Sequence, residues 1–140
     1  MIFKIPSYLI ILFLLACTNG KNFQPAKITL DRDTCAHCHM IISDERFAAQ
    51  LIDDHFNVYK FDDFGCALDW AKNNPNIKIE KYYVRNFEKK EWLDAKTSYW
   101  IKGRASTPMN YGYIAVPTPT KESITFKVLL KVYKTNRPSK

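Results

Sequence analysis

The sequence predicts a small α+β protein built mainly from antiparallel sheet. Short runs of β-branched and aromatic residues alternate with polar positions and are bounded by turn formers, the pattern of half-buried strands. One stretch, Asp62 to Asn73, departs from it with apolar residues at helical spacing. Hydrophobic residues make up 46% of the chain and aromatic residues 14%, ample for a packed core and too much for a disordered segment. A chain of 140 residues suffices for one compact domain or two very small modules.

The N-terminus reads as an export signal. Lys4 marks a short basic start, and Ile5 to Ala16 is an almost unbroken apolar run, too short to remain as a membrane-spanning helix. It closes on Leu14-Leu15-Ala16-Cys17, which resembles a bacterial lipobox; residues 1–16 are then the signal peptide and Cys17 the lipidated first residue. The alternative is an ordinary cleavable signal with a chance cysteine. Residues 17–27 are polar and read as a tether, leaving 28–140 as the folded, extracytoplasmic part, on the periplasmic or cell-surface side.

Phe47–Ile52 and Phe56–Phe61 predict two strands around a tight Asp53-Asp54-His55 turn, with His55 in solvent. Asp62 and Asp63 predict a helix start, where carboxylates meet the positive end of the dipole. Phe64, Ala67, Leu68 and Ala71 carry the helix to Asn73, and Pro75 closes it. Ile79–Phe87, Glu91–Leu93, Tyr99–Lys102 and Tyr111–Val116 predict further strands, which Pro117 and Pro119 end. Lys121–Tyr133 reads as a helix with Ile124, Val128, Leu129 and Val132 on one face, although its β-branched content also suits a strand pair. Trp70, Trp92 and Trp100 read as core.

The net charge is +7, but Lys72, Lys78, Lys81, Lys89, Lys90 and Lys102 are interleaved with acids and form no sustained basic block. They describe a solvated surface that an anionic membrane would attract, and no nucleic-acid module is present. Of four cysteines, Cys17 goes to lipid and Cys35, Cys38 and Cys66 remain. Structural disulfides come in pairs, so at least one of these three thiols is buried, bound or paired only transiently. Cys66, beside the apolar stripe of the helix, reads as a buried structural cysteine.

The chemistry is concentrated in Cys35-Ala36-His37-Cys38-His39-Met40. Two thiols, a thioether and two imidazoles within six positions select Cu(I) or Zn(II) over hard cations, and a thioether favours copper. A Cys-x-Met chelate at Cys38 and Met40 with one distant donor suffices for Cu(I). Cys35-Ala36-His37-Cys38-His39 also spells the c-type haem attachment pattern, for which covalent haem c and electron transfer are the alternative. Thiol–disulfide exchange at Cys35 and Cys38 is a further reading, as is a structural zinc site.

Asp33-Thr34-Cys35-Ala36-His37-Cys38-His39-Met40-Ile41-Ile42-Ser43-Asp44, then Arg46-Phe47-Ala48-Ala49-Gln50, Val58-Tyr59-Lys60-Phe61-Asp62-Asp63 with Cys66, and Thr107-Pro108-Met109-Asn110-Tyr111-Gly112-Tyr113-Ile114-Ala115 resemble the NosL-type accessory proteins of nitrous oxide reductase. The resemblance implies two ββαβ-type modules, the second truncated or differently closed because the chain lacks the glycine-rich stretch expected after the last helix. It implies a membrane-anchored lipoprotein that holds Cu(I) and hands it to nitrous oxide reductase or another extracytoplasmic copper enzyme. It places the ligand pair on Cys38 and Met40, makes Cys35 the extra cysteine of a two-cysteine branch, and offers Met109 as a distant thioether donor. His39, and after it His37, would join in transit. Asn110 stands where the family usually has glycine. No nucleophile–base grouping, phosphate loop or catalytic carboxylate pair rises above chance, so no enzyme is expected.

Overall fold

The computed structural model describes residues 22–135, so the signal segment and Cys17 lie outside the described residues. The expected hairpin forms from β1 (Ala49–Asp53) and β2 (Val58–Phe61), paired antiparallel with Ala49 opposite Phe61. Both strands begin later than the alternation predicts. Phe47 is taken into a 3-10 turn (Glu45–Phe47) capped by Asp44, and Phe56 has a φ of +66°. The reason is the Asp53 side chain, which accepts from the N–H groups of His55 and Asn57, from Asn57 Nδ2 and from the Tyr59 hydroxyl, all at 2.9 Å. Four donors on one buried carboxylate widen the turn to Asn57.

Helix α1 (Phe64–Asn73) starts one residue past the predicted pair of acids. Asp63 alone is the cap, its carboxylate accepting from Gly65 N–H at 3.2 Å, while the side chain of Asp62 is used elsewhere. The chain returns through β3 (Ile79–Arg85) and β4 (Trp92–Asp94), completing a fully antiparallel sheet in the order β2-β1-β3-β4. Strand β1 is central and buried along its whole length. Its one buried amide, Gln50, exchanges two hydrogen bonds with the backbone of Ala26, at 2.8 and 2.6 Å. Tyr83 donates its hydroxyl to Phe23 O at 2.8 Å, so the described end of the segment read as a tether is fastened to this sheet.

A second sheet contains β5 (Tyr99–Lys102), β6 (Tyr113–Val116) and β7 (Ile124–Thr125) in the order β6-β5-β7. The expected helix from Lys121 begins five residues later, as α2 (Phe126–Thr135), because Ile124 and Thr125 pair with Trp100 and Tyr99. The β-branched pair thus serves as strand and the rest as helix. The first module runs ββαβ with one added strand. In the second, all three strands precede the helix, so it closes differently from the ββαβ pattern. The sheets are joined where Asn86 bridges Ala115 and Phe87 N–H donates to Ala115 O at 3.0 Å.

Both modules share one core. Trp100, fully buried, lies 4.3 Å from Phe64 between ring centroids, and Phe126 meets Phe64 edge-on at 6.3 Å. Its indole N–H donates to Ala95 O at 3.2 Å. Trp70 and Trp92 are only half-buried, one against Tyr59 at 4.2 Å and the other under the Arg85 guanidinium at 4.3 Å.

Burial acts to raise the Asp53 carboxyl, but its donors outweigh burial and hold it below the ordinary carboxylate range. A folded-state pKa below the unfolded value of about 3.9 means that the native state binds fewer protons in acid. Asp53 therefore contributes fully above that value, and its contribution disappears as pH falls through its folded pKa. Asp53→Asn should cost about 1–3 kcal/mol at neutral pH, with a smaller gap to the parent at acid pH, as urea unfolding over a pH series would show.

Candidate metal centre

Residues 33–42 close on themselves. Thr34 and Ile41 form an isolated antiparallel bridge, Cys35 N–H donates to Met40 O at 2.8 Å, and His39 N–H donates to Cys35 O at 3.0 Å. The turn is tight enough to force His39 to a φ of +64°, a left-handed conformation that costs a non-glycine residue about 1–2 kcal/mol. The loop is fixed to the outer edge of β2. Ala36 N–H donates to Lys60 O at 2.8 Å, and the Lys60 ammonium bonds Asp33 at 2.7 Å and Lys27 O at 2.8 Å.

This docking delivers Cys35 and Cys38 to the N-terminus of α1. There the sulfurs of Cys35, Cys38 and Cys66 and a carboxylate oxygen of Asp62 all lie within 4.8 Å of one another. Cys35 and Cys66 are wholly buried, Asp62 nearly so, and Cys38 forms the half-buried rim. Cys38 Sγ donates to Asp62 at 3.5 and 3.6 Å to the two oxygens. Asp62 stands just before the cap Asp63 and Cys66 in the first turn of α1, so the entry of the chain into the helix brings carboxylate and sulfur together.

Four acidic groups this close cannot all ionise in a buried place. The Cys66 thiol donating to Cys35 pulls Cys35 down to about 4 against its burial, with help from the backbone N–H groups of Cys38, Asp62 and His37. The same contact, then burial, drives Cys66 up. Burial lifts Cys38 to about 11 and Asp62 to about 6. Asp62 is thus a carboxylate at neutral pH, and the cluster carries its negative charge on Cys35 and Asp62, with Cys38 and Cys66 as proton-bearing thiols. Thiolate is both the nucleophilic and the metal-binding form of cysteine.

Of the residues singled out from the sequence, Cys35 and Cys38 are brought together. Met40 is 58% exposed, next to an exposed Ile41, at the mouth of the loop. Met109 is also exposed, but its own N–H donates to Asp63 Oδ2 at 3.0 Å, which places its loop on the start of α1. His39, exposed, and His37, half-buried, lie outside the four-residue group. Asn110 has a φ of +59°, a left-handed conformation that asparagine tolerates.

Two members of the cluster were not expected from sequence. Cys66 is buried as anticipated, yet it is part of the thiol group rather than only of the core, and Asp62 faces the sulfurs instead of capping the helix. The odd thiol count was the available signal. A second acidic group at Asp53, Asp54 and His55 is the hairpin turn itself, with Asp53 consumed by its donors.

Residues 25–109 match the profile of the NosL family, a span that holds every member of the cluster, Met40 and Met109. No curated protein sequence matches the chain. Among solved structures, the fold is similar to the crystal structure of the copper chaperone NosL from Shewanella denitrificans, with a TM-score of 0.53 and 13% identity over 79% of this chain and 86% of that one. At that identity the likeness is one of fold.

Gly65 lies next to the cluster and has a steric role. A Cβ there would overlap the Tyr111 ring, whose hydroxyl is bonded to Asp69 at 2.6 Å. Gly65→Ala should destabilise the fold by about 1–3 kcal/mol or more, because the ring is held at both ends. In denaturant unfolding, Gly65→Ala/Tyr111→Ala should recover part of what Gly65→Ala loses, the sign of a direct clash.

Proposed function

The chain belongs to the NosL family, and from that premise we propose that it is a lipid-anchored extracytoplasmic metallochaperone. It carries Cu(I) as cargo and passes it to an exported copper enzyme, nitrous oxide reductase first among them. Cys17 would hold it to the membrane. The observation that carries the proposal is the convergence of three thiols at the start of α1, with Met40 exposed two residues beyond Cys38.

The donor set suits the cargo. Thiolate and thioether sulfurs select Cu(I), and two or three of them satisfy it. Cys35 and Cys66 hold the ion away from water, while Cys38 and Met40 meet it at the rim, where a partner's ligands can attack. Met109 is the reserve thioether, and His39, then His37, are imidazoles for the ion in transit. Asp62 offers hard oxygen, a poor match for Cu(I); its task is to orient Cys38 through their hydrogen bond and to receive the proton a thiol loses on binding. Transfer proceeds by ligand exchange, one sulfur at a time, toward an acceptor with more donors. Covalent haem is the weaker reading, because Cys35 is wholly buried against α1 and must leave that packing to reach a porphyrin edge.

The test is an anaerobic Cu(I) titration of the reduced full chain against a coloured chelator. One ion should bind per chain, and Cys38→Ser, Cys66→Ser and Met40→Leu should each weaken binding by about tenfold or more. Failure of the parent to compete, or variants that bind as well as the parent, would remove copper carriage from this site.

A further inference from the structure

Carrying Cu(I) does not by itself require three thiols arranged on two elements. Cys35 comes from the loop and Cys66 from α1, both are wholly buried, and their sulfurs lie within 4.8 Å. Cys38 is set apart from this pair. It is only half-buried, it is engaged with Asp62 at 3.5 Å, and it is followed two residues later by the exposed Met40. The cluster thus divides into an inner pair of thiols and an outer thiol–thioether chelate.

We propose that the cluster also reduces Cu(II). The inner pair, Cys35 and Cys66, supplies two electrons and closes as a disulfide, while Cys38 and Met40 retain one of the Cu(I) ions formed. This rests on the reading of copper as the cargo. The S–H bond of Cys66 breaks, the Cys35 thiolate and the Cys66 sulfur form one S–S bond, and one proton leaves, with the Asp62 carboxylate as the nearest acceptor. The two electrons reduce two Cu(II) ions to two Cu(I) ions. One stays on the outer sulfurs and the other departs to solvent or to a chelator.

The geometry favours this division of the thiols. A disulfide needs sulfurs about 2.05 Å apart, and those of the inner pair already lie within 4.8 Å, both shut off from water. Pairing Cys35 with Cys38 instead would break the Cys38–Asp62 contact and remove the outer chelate. With the inner pair oxidised, copper is left with Cys38 and Met40 and no buried thiolate. It is then held more loosely and at the surface, the state from which an acceptor can take it. Reduction of the metal and readiness for release become one event.

The experiment mixes the full chain, reduced and freed of reductant without oxygen, with two equivalents of Cu(II) sulfate. The readout is loss of the Cu(II) electron paramagnetic resonance signal, since d¹⁰ Cu(I) is silent. Both equivalents should disappear, and peptide mapping should join Cys35 to Cys66 and leave Cys38 open to alkylation. Cys66→Ser and Cys66→Ala, checked for folding by circular dichroism, should lose the signal at least about tenfold more slowly. Mapping of the bond to Cys35 and Cys38, or equal rates in folded Cys66 variants, would overturn the proposal. A parallel sample receives Cu(I) directly. If it binds while Cu(II) persists, the reductase proposal fails and copper carriage stands. If Cu(I) is not held either, both fall.

Discussion

The hydrogen bond from Ala36 N–H to Lys60 O, 2.8 Å long, lies beneath every feature of the thiol cluster. Strand β2 is an edge, and an edge presents unpaired backbone groups that must be covered or paired. The cysteine loop does the covering. Asp33, bonded to the Lys60 ammonium, secures one side, and the Cys35–Met40 backbone bond closes the turn that presents both thiols. Strand β2 then runs directly into the start of α1. Whatever is fixed to its edge therefore lies beside Asp62 and Cys66, and a structural need of the sheet becomes the means of assembling a site.

The second module completes that arrangement. Its loop around Met109 rests on Asp63, the Tyr111 ring covers Gly65, and the Tyr133 hydroxyl donates to Gly65 O at 3.3 Å. The first half of α1 is thereby buried on all sides, which explains why Cys66 and Asp62 are so well shielded. Shielding matters for the chemistry. In a low-dielectric place adjacent acids do not all ionise, and the proton distribution follows hydrogen bonds as well as intrinsic acidity. Cys35 emerges as the thiolate because it receives donors, not because it is nearest to water. A strained His39 backbone is tolerated at the same place, as is common where local geometry serves a site.

The hairpin, the helix from the Asp62–Asp63 pair and the antiparallel character were legible because each depends on neighbours in sequence: alternation, capping and turn residues. The errors share one cause. Asp53 widened its turn through donors up to six residues away, and Ile124 and Thr125 became strand because Trp100 and Tyr99 offered them an edge. Neither partner is visible in local propensity.

The sequence alone determined the identity of the soft donors, their crowding into Cys35–Met40, the odd number of thiols and the family resemblance. Those are properties of composition and spacing, which folding cannot alter. Only the tertiary structure decided that the third thiol and Asp62 face that loop while Met40 stays in solvent. Residues 24 and more positions apart meet only when strand pairing and helix docking bring them together, and no spacing rule encodes such a distance. A helix start read locally supplies a cap and an apolar stripe. Packed against a neighbouring loop, the same turn supplies a carboxylate and a sulfur to a shared site.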